Sequence, residues 1–388
     1  MKRDRGDGGI DTRGKDRHRL RWRVNGRRHS KTFKGSIAEA RRELRRLLKS
    51  ADDGRHVAPG RITAAAWIES WLTLKKRTIN TRTYERYAEL LRLHVIPTLG
   101  SRPLQQIAPS EIDDLYLKLD QQLSRRTVHH VHTVLNSSFN TAVRKGLLSN
   151  NPVSLAEVPV AGKSEIRRVL ESGQLAALVY GFRDMAIYGI VATAALTGAR
   201  RNEILALRLT DLGDNTLTIT RALEETQDGR GFKEPKTPRG RRTIAIDNNL
   251  ATILAAERRN CLLLTAGVVE DSDVVDISLM KVPEDALLFP APPARPEGFD
   301  PAKPRDARNI SKVFARRAKV LGFPGFRFHD LRATHETLLL DAGVPVHVVA
   351  ARCGHDPAVL LRVYARRTKK ADTSAAAIIG AMSEGVLG

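Results

Sequence analysis

Basic and apolar residues alternate along the N-terminal part of the chain. In the segment RHRLRWRVNGRRHSKTFKGS, which begins at residue 17, the basic residues are interleaved with Leu20, Trp22, Val24 and Phe33. An alternation with a period of two on both sides of Asn25-Gly26 predicts a β-hairpin with a tight two-residue turn.

A basic helix is predicted directly after this hairpin. Ser36 and Glu39 have the spacing of a capping box, so the helix begins there and continues to about Lys49. Residues 1–61 are therefore predicted to form a small α+β module, called the N-terminal module below. A disordered basic arm is the alternative, and Trp22 and Phe33 argue against it because disordered segments are poor in aromatic residues.

Between residues 62 and 152 the apolar residues recur at helical spacing. They predict a helix from about Thr81 to His94, a second helix capped by Ser110, and a third that Asn150-Asn151-Pro152 terminates. The apolar stripe of the third helix consists of Val128, Val131, Leu135, Phe139 and Ala142. We interpret these stripes as the core of an all-α domain over 62–152, followed by a linker over 153–165.

The remaining residues, 166–388, combine several helices with a few short strands. An apolar helix is predicted from Tyr188 to Ala195. Strands are predicted at 216–222, 232–237 and 242–246, and helices at 248–266, 309–321, 330–342, 345–353 and 357–364. An acidic patch near 270–276 and a proline-rich stretch over 290–304 interrupt the pattern, and the latter is expected to form an irregular surface loop. The prediction is a mainly α domain with a small antiparallel β-sheet.

The charge balance points to a polyanionic partner. The chain of 388 residues has 65 Lys and Arg against 43 Asp and Glu, a formal net charge of +22. Some of this excess is a solvated surface, but its size and its spread over several segments favour nucleic acid. The candidate DNA contacts in the N-terminal module are Arg19, Arg21, Arg23, Arg27, Arg28 and Lys31. Arg125 and Arg126 are candidates in the helical domain, where they face either DNA or solvent.

Cysteine usage and hydropathy narrow the class of protein further. The two cysteines, Cys261 and Cys353, have no zinc-ligand spacing and are expected to be buried thiols in a reducing compartment. No apolar run approaches the roughly 20 residues of a membrane span, and the N-terminus is too charged for a signal peptide. These features predict a soluble intracellular protein with no metal and no membrane association.

Five dispersed fragments carry the candidate chemistry. They are TGARRNE (197–203), KTPRGRR (236–242), HDLR (329–332), GH (354–355) and Tyr364. Arginines neutralise a phosphate, histidine and lysine move protons, and a tyrosine hydroxyl can attack, so this set suits the cutting and rejoining of a DNA backbone without a metal.

The spacing within two of these fragments suggests how they are organised. Arg200 and Glu203 are three residues apart, which predicts that they share a helical face and that Glu203 holds the guanidinium of Arg200 towards a phosphate. His329 and Arg332 repeat that spacing. For each pair the alternative is an ordinary structural contact, and a lone C-terminal tyrosine is usually a packing or surface residue.

Taken together, the fragments resemble the tyrosine recombinases of the phage-integrase type. The matching motifs are TGARRNE, PKTPRGRRTIAI, HDLRATHETLLLDAG and RCGHDPAVLLRVYAR, in the order that the family has them. The resemblance covers the catalytic domain over 166–388 and, more loosely, the segment 62–152, which is similar to the family's core-binding domain. The N-terminal module is similar to arm-binding domains that read a second DNA site. Cys353, Gly240 and Ala333 depart from common family residues, and none of them removes a catalytic group.

The resemblance implies the tyrosine recombinase fold and a role for each site residue. Tyr364 is the expected nucleophile, which forms a 3′-phosphotyrosyl bond. Arg200 and Arg332 brace the phosphate, Lys236 is the general acid, His329 acts as acid or base, and His355 contacts the phosphate or orients the site. Lys233 is a poorer candidate for the acid, and His335 and His347 are interpreted as structural.

The resemblance also implies partners and a place of action. Four protomers are expected to act on two double-stranded DNA sites without a cofactor, with an excisionase and a host DNA-bending protein as possible helpers. The reaction integrates a phage or other mobile genome into a bacterial chromosome, in the cytoplasm of the host at its nucleoid. The segment 371–388 is expected to pack on a neighbouring protomer.

Other functions remain open at this point. One alternative is a catalytically silent, sequence-specific DNA-binding regulator, which the complete residue set argues against. Another is a type IB topoisomerase-like enzyme, which fits the basic N-terminal module less well. A chromosome-dimer resolvase of the Xer type normally lacks a segment equivalent to residues 1–61, and a conjugative-element integrase cannot be separated from a phage integrase.

Overall fold

A computed structural model describes residues 8–24, 27–52, 60–160, 168–235, 238–267, 281, 283–293 and 298–364. The chain divides into two compact units, residues 1–164 and 165–388. Among the helices of these described ranges, none is both long and apolar enough to cross a membrane.

The N-terminal module is a three-stranded antiparallel sheet with one helix. Its elements are β1 (Gly9–Gly14), β2 (Arg17–Val24), β3 (Arg27–Lys34) and α1 (Ile37–Asp52), with strand order β1-β2-β3. The predicted hairpin is confirmed, because Val24 pairs with Arg27 and leaves a two-residue connection. Strand β1 was not predicted, since its sequence GIDTRG holds one large apolar residue and gives no alternation.

Residue alternation divides the sheet of the N-terminal module into two faces. Leu20 and Trp22 are buried and pack with Ala40 and Leu44 of α1. The predicted capping box starts that helix: the backbone N–H of Ser36 donates to Oε2 of Glu39 over 2.8 Å, and the Ser36 hydroxyl donates to the same atom over 2.9 Å. The opposite face of the sheet therefore carries the alternate, basic positions of β2.

The rest of the first unit is helical. Its helices are α2 (Ala64–Lys76), α3 (Thr81–His94), α4 (Ile96–Leu99), α5 (Pro109–Asp120) and α6 (Arg125–Arg144). The five predicted stripe residues of α6 are all buried in one apolar cluster with Trp67, Trp71 and Tyr116. The predicted cap at Ser110 is wrong: α5 begins at Pro109, and the side chain of Glu111 accepts from the backbone N–H of Ala108 over 2.9 Å. Proline suits the first helical position because it has no N–H to lose.

The predicted linker over 153–165 begins inside this packed unit. Residues Pro152–Leu155 form a 3₁₀ turn, and Val153 is buried in the same apolar cluster. The side-chain oxygen of Asn151 accepts from the backbone N–H of Val153 over 2.9 Å and so fixes the start of the turn.

The second unit has eight helices and five strands in its described residues. They follow one another as α7 (Ser172–Tyr180), α8 (Tyr188–Thr197), α9 (Arg201–Ile204), β4 (Leu212–Gly213), β5 (Thr216–Ile219), β6 (Ala222–Thr226), β7 (Gly229–Lys233), β8 (Arg242–Ala245), α10 (Asn248–Thr265), α11 (Ala307–Val320), α12 (Phe328–Asp341), α13 (Val346–Cys353) and α14 (Pro357–Tyr364). The expected mainly helical architecture with small antiparallel sheets is confirmed.

The strands of this unit form two sheets rather than one. Strands β4, β5 and β8 form an antiparallel sheet, and β6 and β7 form a separate two-stranded ribbon. The predicted single strand over 216–222 is wrong, because the chain leaves the sheet between β5 and β6, where the Arg221 side chain donates to the carbonyl of Ala206 over 2.8 Å. The strand predicted over 232–237 is described as β7 (Gly229–Lys233), which begins earlier and, within the described residues, pairs with β6 alone.

Two irregular segments were predicted, the acidic patch near 270–276 and the proline-rich stretch over 290–304, and the structure describes part of the second. The acidic patch lies outside the described residues. The proline-rich stretch is described at both of its ends, which pair with each other: the backbone N–H of Ala291 donates to the carbonyl of Lys303 over 2.7 Å. This pairing joins the loop to the body of the unit next to the buried ring of Phe289.

Helix α8 lies in the centre of the second unit. Every residue from Gly189 to Ala195 is buried, and so is Thr197. The two threonine hydroxyls in this apolar helix satisfy themselves on carbonyls four residues earlier, Thr193 on Gly189 and Thr197 on Thr193. Burial over most of its length fixes the position of α8, and the TGARRNE motif begins at its last residue, Thr197.

Candidate active site

The end of α8 forms a tight turn that delivers Arg200. Gly198 ends the helix with φ of 66°, and the Thr197 hydroxyl accepts from the backbone N–H of Ala199 over 3.1 Å. A Cβ atom at position 198 would lie 2.7 Å from Cδ2 of His335 and 2.9 Å from Sγ of Cys353. The position therefore needs glycine for its backbone conformation and for its space.

We expect Gly198→Ala to lower the free energy of unfolding by about 2 to 4 kcal/mol, because a left-handed conformation and an overpacked contact both cost free energy. The measurement is chemical denaturation of the purified variant. Gly343→Ala is the matched control, since Gly343 also has a positive φ, 82°, but a Cβ atom added there would have no other atom within 4 Å. Equal losses in the two variants would show that the contacts of Gly198 are unimportant.

Glu203 holds Arg200 as predicted, but not through a shared helical face. Arg200 is extended and precedes α9, with its backbone N–H donating to Oε2 of Glu203 over 2.9 Å. Its Nη1 donates to Oε1 of Glu203 over 2.6 Å, and its Nη2 donates to the carbonyl of Gly354 over 3.1 Å. The predicted helical face is wrong because Arg200 is the N-cap residue, and the carboxylate instead binds both its backbone and its guanidinium. The side chain of Arg200 remains 40% exposed, so a ligand can reach it.

Arg242 is a second cation on Glu203, and it was not predicted. Its Nη2 donates to Oε2 of Glu203 over 2.8 Å, and its Nε donates to the carbonyl of Arg352 over 2.7 Å. Burial would raise the pKa of Glu203, but Arg242 and Arg200 outweigh it and lower that pKa. Glu203 is therefore a buried anion between two arginines, and it links the TGARRNE turn to strand β8.

Arg332 lies on α12 with its side chain only 2% exposed. Its Nη1 donates to the carbonyl of Gly198 over 2.7 Å, and its Nη2 donates to the carbonyl of Cys353 over 2.6 Å. Burial lowers the pKa of Arg332 and nearby Arg200 lowers it further, whereas Glu336 raises it. The guanidinium groups of Arg332 and Arg200 thus bind the consecutive carbonyls of Cys353 and Gly354, which immediately precede His355.

His355 follows these two carbonyls in the chain and contacts both Arg332 and a second carboxylate. Its Nε2 lies 2.8 Å from Oε1 of Glu336 and 3.2 Å from Nε of Arg332. The second carboxylate, Glu336, was also missed by the sequence analysis, although its position four residues after Arg332 is the spacing of a helical ion pair. The structure therefore brings Arg200, Arg332 and His355 together with Glu203.

Of the other three predicted catalytic residues, the structure describes His329 fully, Tyr364 by its backbone alone and Lys236 not at all. His329 lies at the start of α12, one turn before Arg332, with an exposed side chain. Lys236 lies outside the described residues, while Lys233 forms an ion pair with Glu224 across the β6–β7 ribbon. The backbone of α14 is described as far as Tyr364, and the side chain of Tyr364 is outside what the structure describes. Helix α14 begins two residues after His355 and packs through Leu360 in a cluster with Leu340, Val349 and Ala350.

His335 and Cys353 are buried beside this site without the properties of reacting groups. Burial lowers the pKa of His335 to about 4, with Arg352 adding to the effect. Neutral His335 then donates from Nδ1 to the carbonyl of Ala195 over 3.0 Å and accepts at Nε2 from Arg352 over 3.2 Å. Burial also raises the pKa of the Cys353 thiol to about 11, so it stays protonated at neutral pH. These contacts match the structural role expected for His335.

The candidate DNA contacts of the N-terminal module separate into two faces. Arg19, Arg21 and Arg23 occupy the sheet face opposite α1, where Arg23 pairs with Arg28 across the strands. Arg21 binds Asp11 over 2.6 Å, and Arg19 donates to the Ser30 hydroxyl over 3.2 Å. The side chain of Arg27 lies outside what the structure describes.

Lys31 does not belong to that basic face. It pairs with Leu20, which points towards α1, and its Nζ binds Oε1 of Glu43 over 2.9 Å. Lys31 lies three positions after Arg28, and this odd interval along the strand places it on the other side of the sheet.

In the helical part of the first unit, Arg125 and Arg126 form the exposed first turn of α6, which Ser124 caps. Arg125 lies 3.6 Å from Asp120, a distance at which an exposed ion pair contributes little to stability. Both side chains are therefore accessible to a phosphate backbone.

Two family models match the sequence. The model described as "Phage integrase, N-terminal SAM-like domain" matches residues 63–119, and the one described as "Phage integrase family" matches residues 168–371. Among curated proteins, an integrase of Streptomyces ambofaciens is 27% identical over 95% of this chain and 94% of its own. A putative prophage phiRv2 integrase of Mycobacterium tuberculosis is 26% identical over 91% of this chain and 89% of its own.

Solved structures share the fold. The integrase of transposon Tn1549 in complex with transposon right end DNA has a TM-score of 0.65 at 18% identity, over 82% of this chain and 99% of its own. A lambda integrase dimer bound to a COC′ core site has a TM-score of 0.58 at 16% identity, over 94% and 96%. A lambda integrase tetramer bound to a Holliday junction has a TM-score of 0.54 at 16% identity, over 89% and 95%. The expected multidomain fold is thereby confirmed.

Proposed function

The chain belongs to the phage integrase family, and from this premise we propose that it is a site-specific DNA recombinase. It cuts and rejoins DNA strands through a 3′-phosphotyrosyl intermediate, and it integrates a phage or other mobile genome into a bacterial chromosome in the host cytoplasm. The observation that carries the proposal is that Arg200 and Arg332 bind the adjacent carbonyls of Gly354 and Cys353, and that Arg332 also contacts His355.

The proposed reaction exchanges one phosphodiester for another. The Tyr364 hydroxyl attacks the scissile phosphorus, the bond from phosphorus to the 5′-oxygen breaks, and Lys236 gives that oxygen its proton. The 5′-hydroxyl of a new strand then attacks the phosphotyrosine and expels the phenol. A tyrosine has a pKa of about 10, so it needs proton transfer to attack at neutral pH, and His329 is the candidate acceptor.

The arginines stabilise the charge that develops on the non-bridging oxygens. Arg200 is accessible and held by Glu203, while Arg332 is buried, where electrostatic interactions are stronger than in water. The carbonyls that bind both guanidinium groups keep them in place before the reaction, so little reorganisation is needed.

The test is recombination in vitro. Purified protein is mixed with two duplexes that carry the attachment sequences flanking its own gene, and the products are sequenced across the junctions. Recombinant junctions are the expected result, first without and then with a host DNA-bending protein. Sequence-specific binding to these duplexes with no strand exchange under either condition would contradict the proposal and favour a silent DNA-binding regulator.

Assembly on DNA is part of the same proposal. The lambda integrase structure on a Holliday junction contains a tetramer, and we expect four copies of this chain to join two core-type sites. The helical domain would bind core-type sites, and the N-terminal module would bind arm-type sites through its basic sheet face.

We expect Arg23→Ala to weaken binding to arm-type DNA and to reduce the slope of log K against log salt by about 1, because one phosphate contact is lost. Binding is measured by fluorescence anisotropy over a series of salt concentrations. Lys31→Ala is the matched control from the other face, and it should leave the slope unchanged. A slope that changes equally in both variants would contradict DNA binding by the sheet face.

A further inference from the structure

Glu336 is a buried carboxylate that the proposed mechanism does not use. It lies on α12 one helical turn after Arg332, with only 4% of its side chain exposed. Its Oε1 is 2.9 Å from Nε of Arg332 and 2.8 Å from Nε2 of His355. A single oxygen therefore touches two of the proposed catalytic groups, which come from different parts of the chain.

We propose that Glu336 is a positioning residue, which holds Arg332 and His355 in the geometry that DNA cleavage needs. The inference rests on the proposed function and adds a residue to it. Nε of Arg332 donates to Nε2 of His355 over 3.2 Å, and Oε1 of Glu336 lies 2.9 Å and 2.8 Å from these two nitrogens as a charge contact.

Charge compensation is the first argument. Arg332 is almost fully buried and lies near a second cation, Arg200, so both its desolvation and its neighbour disfavour the charged form. Glu336 supplies the compensating negative charge next to it. Glu203 compensates the charge of Arg200 in the same way, and it also binds Arg242. Each of the two proposed catalytic arginines therefore contacts a different buried carboxylate.

Donor geometry is the second argument. Arg332 donates one N–H each from Nε to His355, from Nη1 to Gly198 and from Nη2 to Cys353. A guanidinium has five N–H groups, so these contacts leave two that can meet a phosphate. His355 occupies the Nε–H, and the charge of Glu336 next to both groups holds this edge of the guanidinium and thereby the direction of those two donors.

His355 depends on Glu336 in a different way. It follows α13 and not α12, and its ring reaches Arg332 and Glu336 from outside their helix. Catalytic donors must be held within about 0.5 Å of the productive position, so loss of the shared anchor should slow cleavage more than it weakens DNA binding.

The experiment uses the full chain and a nicked duplex that traps the covalent complex. The duplex carries the core sequence at which the recombination assay shows strand exchange. For Glu336→Gln we expect the single-turnover rate of covalent complex formation to fall by about 10- to 100-fold, the range for supporting residues around reactive centres. The affinity for the duplex should be unchanged, and Glu336→Asp should recover part of the rate because it restores the charge.

A matched control separates positioning from general stability. Asp211 is another buried carboxylate of the same unit, paired with Arg208 at 3.2 Å, and Asp211→Asn should cleave at the wild-type rate once folded. A double-mutant cycle adds a second readout: in a His355→Ala background, Glu336→Gln should cost less than in the wild type. If Glu336→Gln does not fold, the rate of covalent complex formation by Glu336→Asp tests the role of Glu336 instead.

Two failures are distinguishable. A wild-type protein that forms no covalent complex contradicts the proposed function itself. A wild-type protein that cleaves while Glu336→Gln, or its substitute Glu336→Asp, cleaves at the same rate overturns the role of Glu336 alone. Additive effects in the cycle with His355, or equal losses for Asp211→Asn and Glu336→Gln, would overturn it as well.

Discussion

Tyr364→Phe is expected to abolish the covalent protein–DNA complex while DNA binding stays at the wild-type level. The substitution removes one hydroxyl oxygen, and a phenyl ring has no atom that can attack phosphorus. The rate of complex formation should fall by about 10⁴-fold or more, the scale for removal of a catalytic nucleophile. The measurement is denaturant-resistant complex formation on the nicked duplex, with binding followed separately by gel shift.

A second tyrosine provides the control for this prediction. Tyr180 is 65% exposed in the same unit and lies beneath the guanidinium of Arg183. Tyr180→Phe should form the covalent complex at the wild-type rate. Covalent trapping by Tyr364→Phe at that rate would show that another group is the nucleophile and would overturn the proposed mechanism.

Arg332→Lys is expected to lower the cleavage rate by about 10²- to 10³-fold although the charge is kept. A lysine ammonium is a point charge with three donors, and it cannot bind the carbonyls of Gly198 and Cys353 and also present a planar pair of donors to a phosphate. Single-turnover cleavage at saturating protein separates this loss from any change in affinity.

Arg305 is the matched arginine outside the site. Its Nε donates to the carbonyl of Pro290 and its Nη1 donates to that of Ala186, each over 2.8 Å. Arg305→Lys should lower thermal stability but leave the cleavage rate of the folded protein unchanged. If Arg332→Lys and Arg305→Lys slow cleavage equally, Arg332 acts through stability and not at the phosphate.

Local signals account for what the sequence predicted correctly. The hairpin of the N-terminal module depends on alternation and a two-residue turn, and its helix on a capping box of neighbouring residues. The buried stripe of α6 depends on helical spacing. In each case the residues that decide the element lie within a few positions of one another, so no knowledge of the tertiary structure is needed.

Long-range contacts account for what was missed. Arg242 reaches Glu203 across 39 positions of the sequence, and Arg221, between β5 and β6, binds the carbonyl of Ala206. Nothing in the local pattern distinguishes either arginine from its exposed neighbours. Glu336 is different: its spacing from Arg332 was visible, but only the arrival of His355 shows that this ion pair belongs to the site.

The candidate site was predictable to the extent that its motifs are ordered along the chain. The structure brings together Arg200, Arg332 and His355, and their catalytic roles stay predictions. Lys236 and the side chain of Tyr364 lie outside the described residues, so their positions relative to the arginines also stay predictions. Lys31 shows the limit of composition alone, because a basic residue next to a basic face can belong to the other side.

The small apolar core of the N-terminal module has a thermodynamic consequence. Its cluster contains four buried apolar side chains, those of Leu20, Trp22, Ala40 and Leu44, and so small a segment buries a smaller fraction of its surface on folding than a larger domain does. The folded population of so small a body rises with the concentration of any ligand that binds only its native form. If the N-terminal module binds arm-type DNA as proposed, that DNA stabilises its fold, and the apparent melting temperature of this region depends on the DNA concentration.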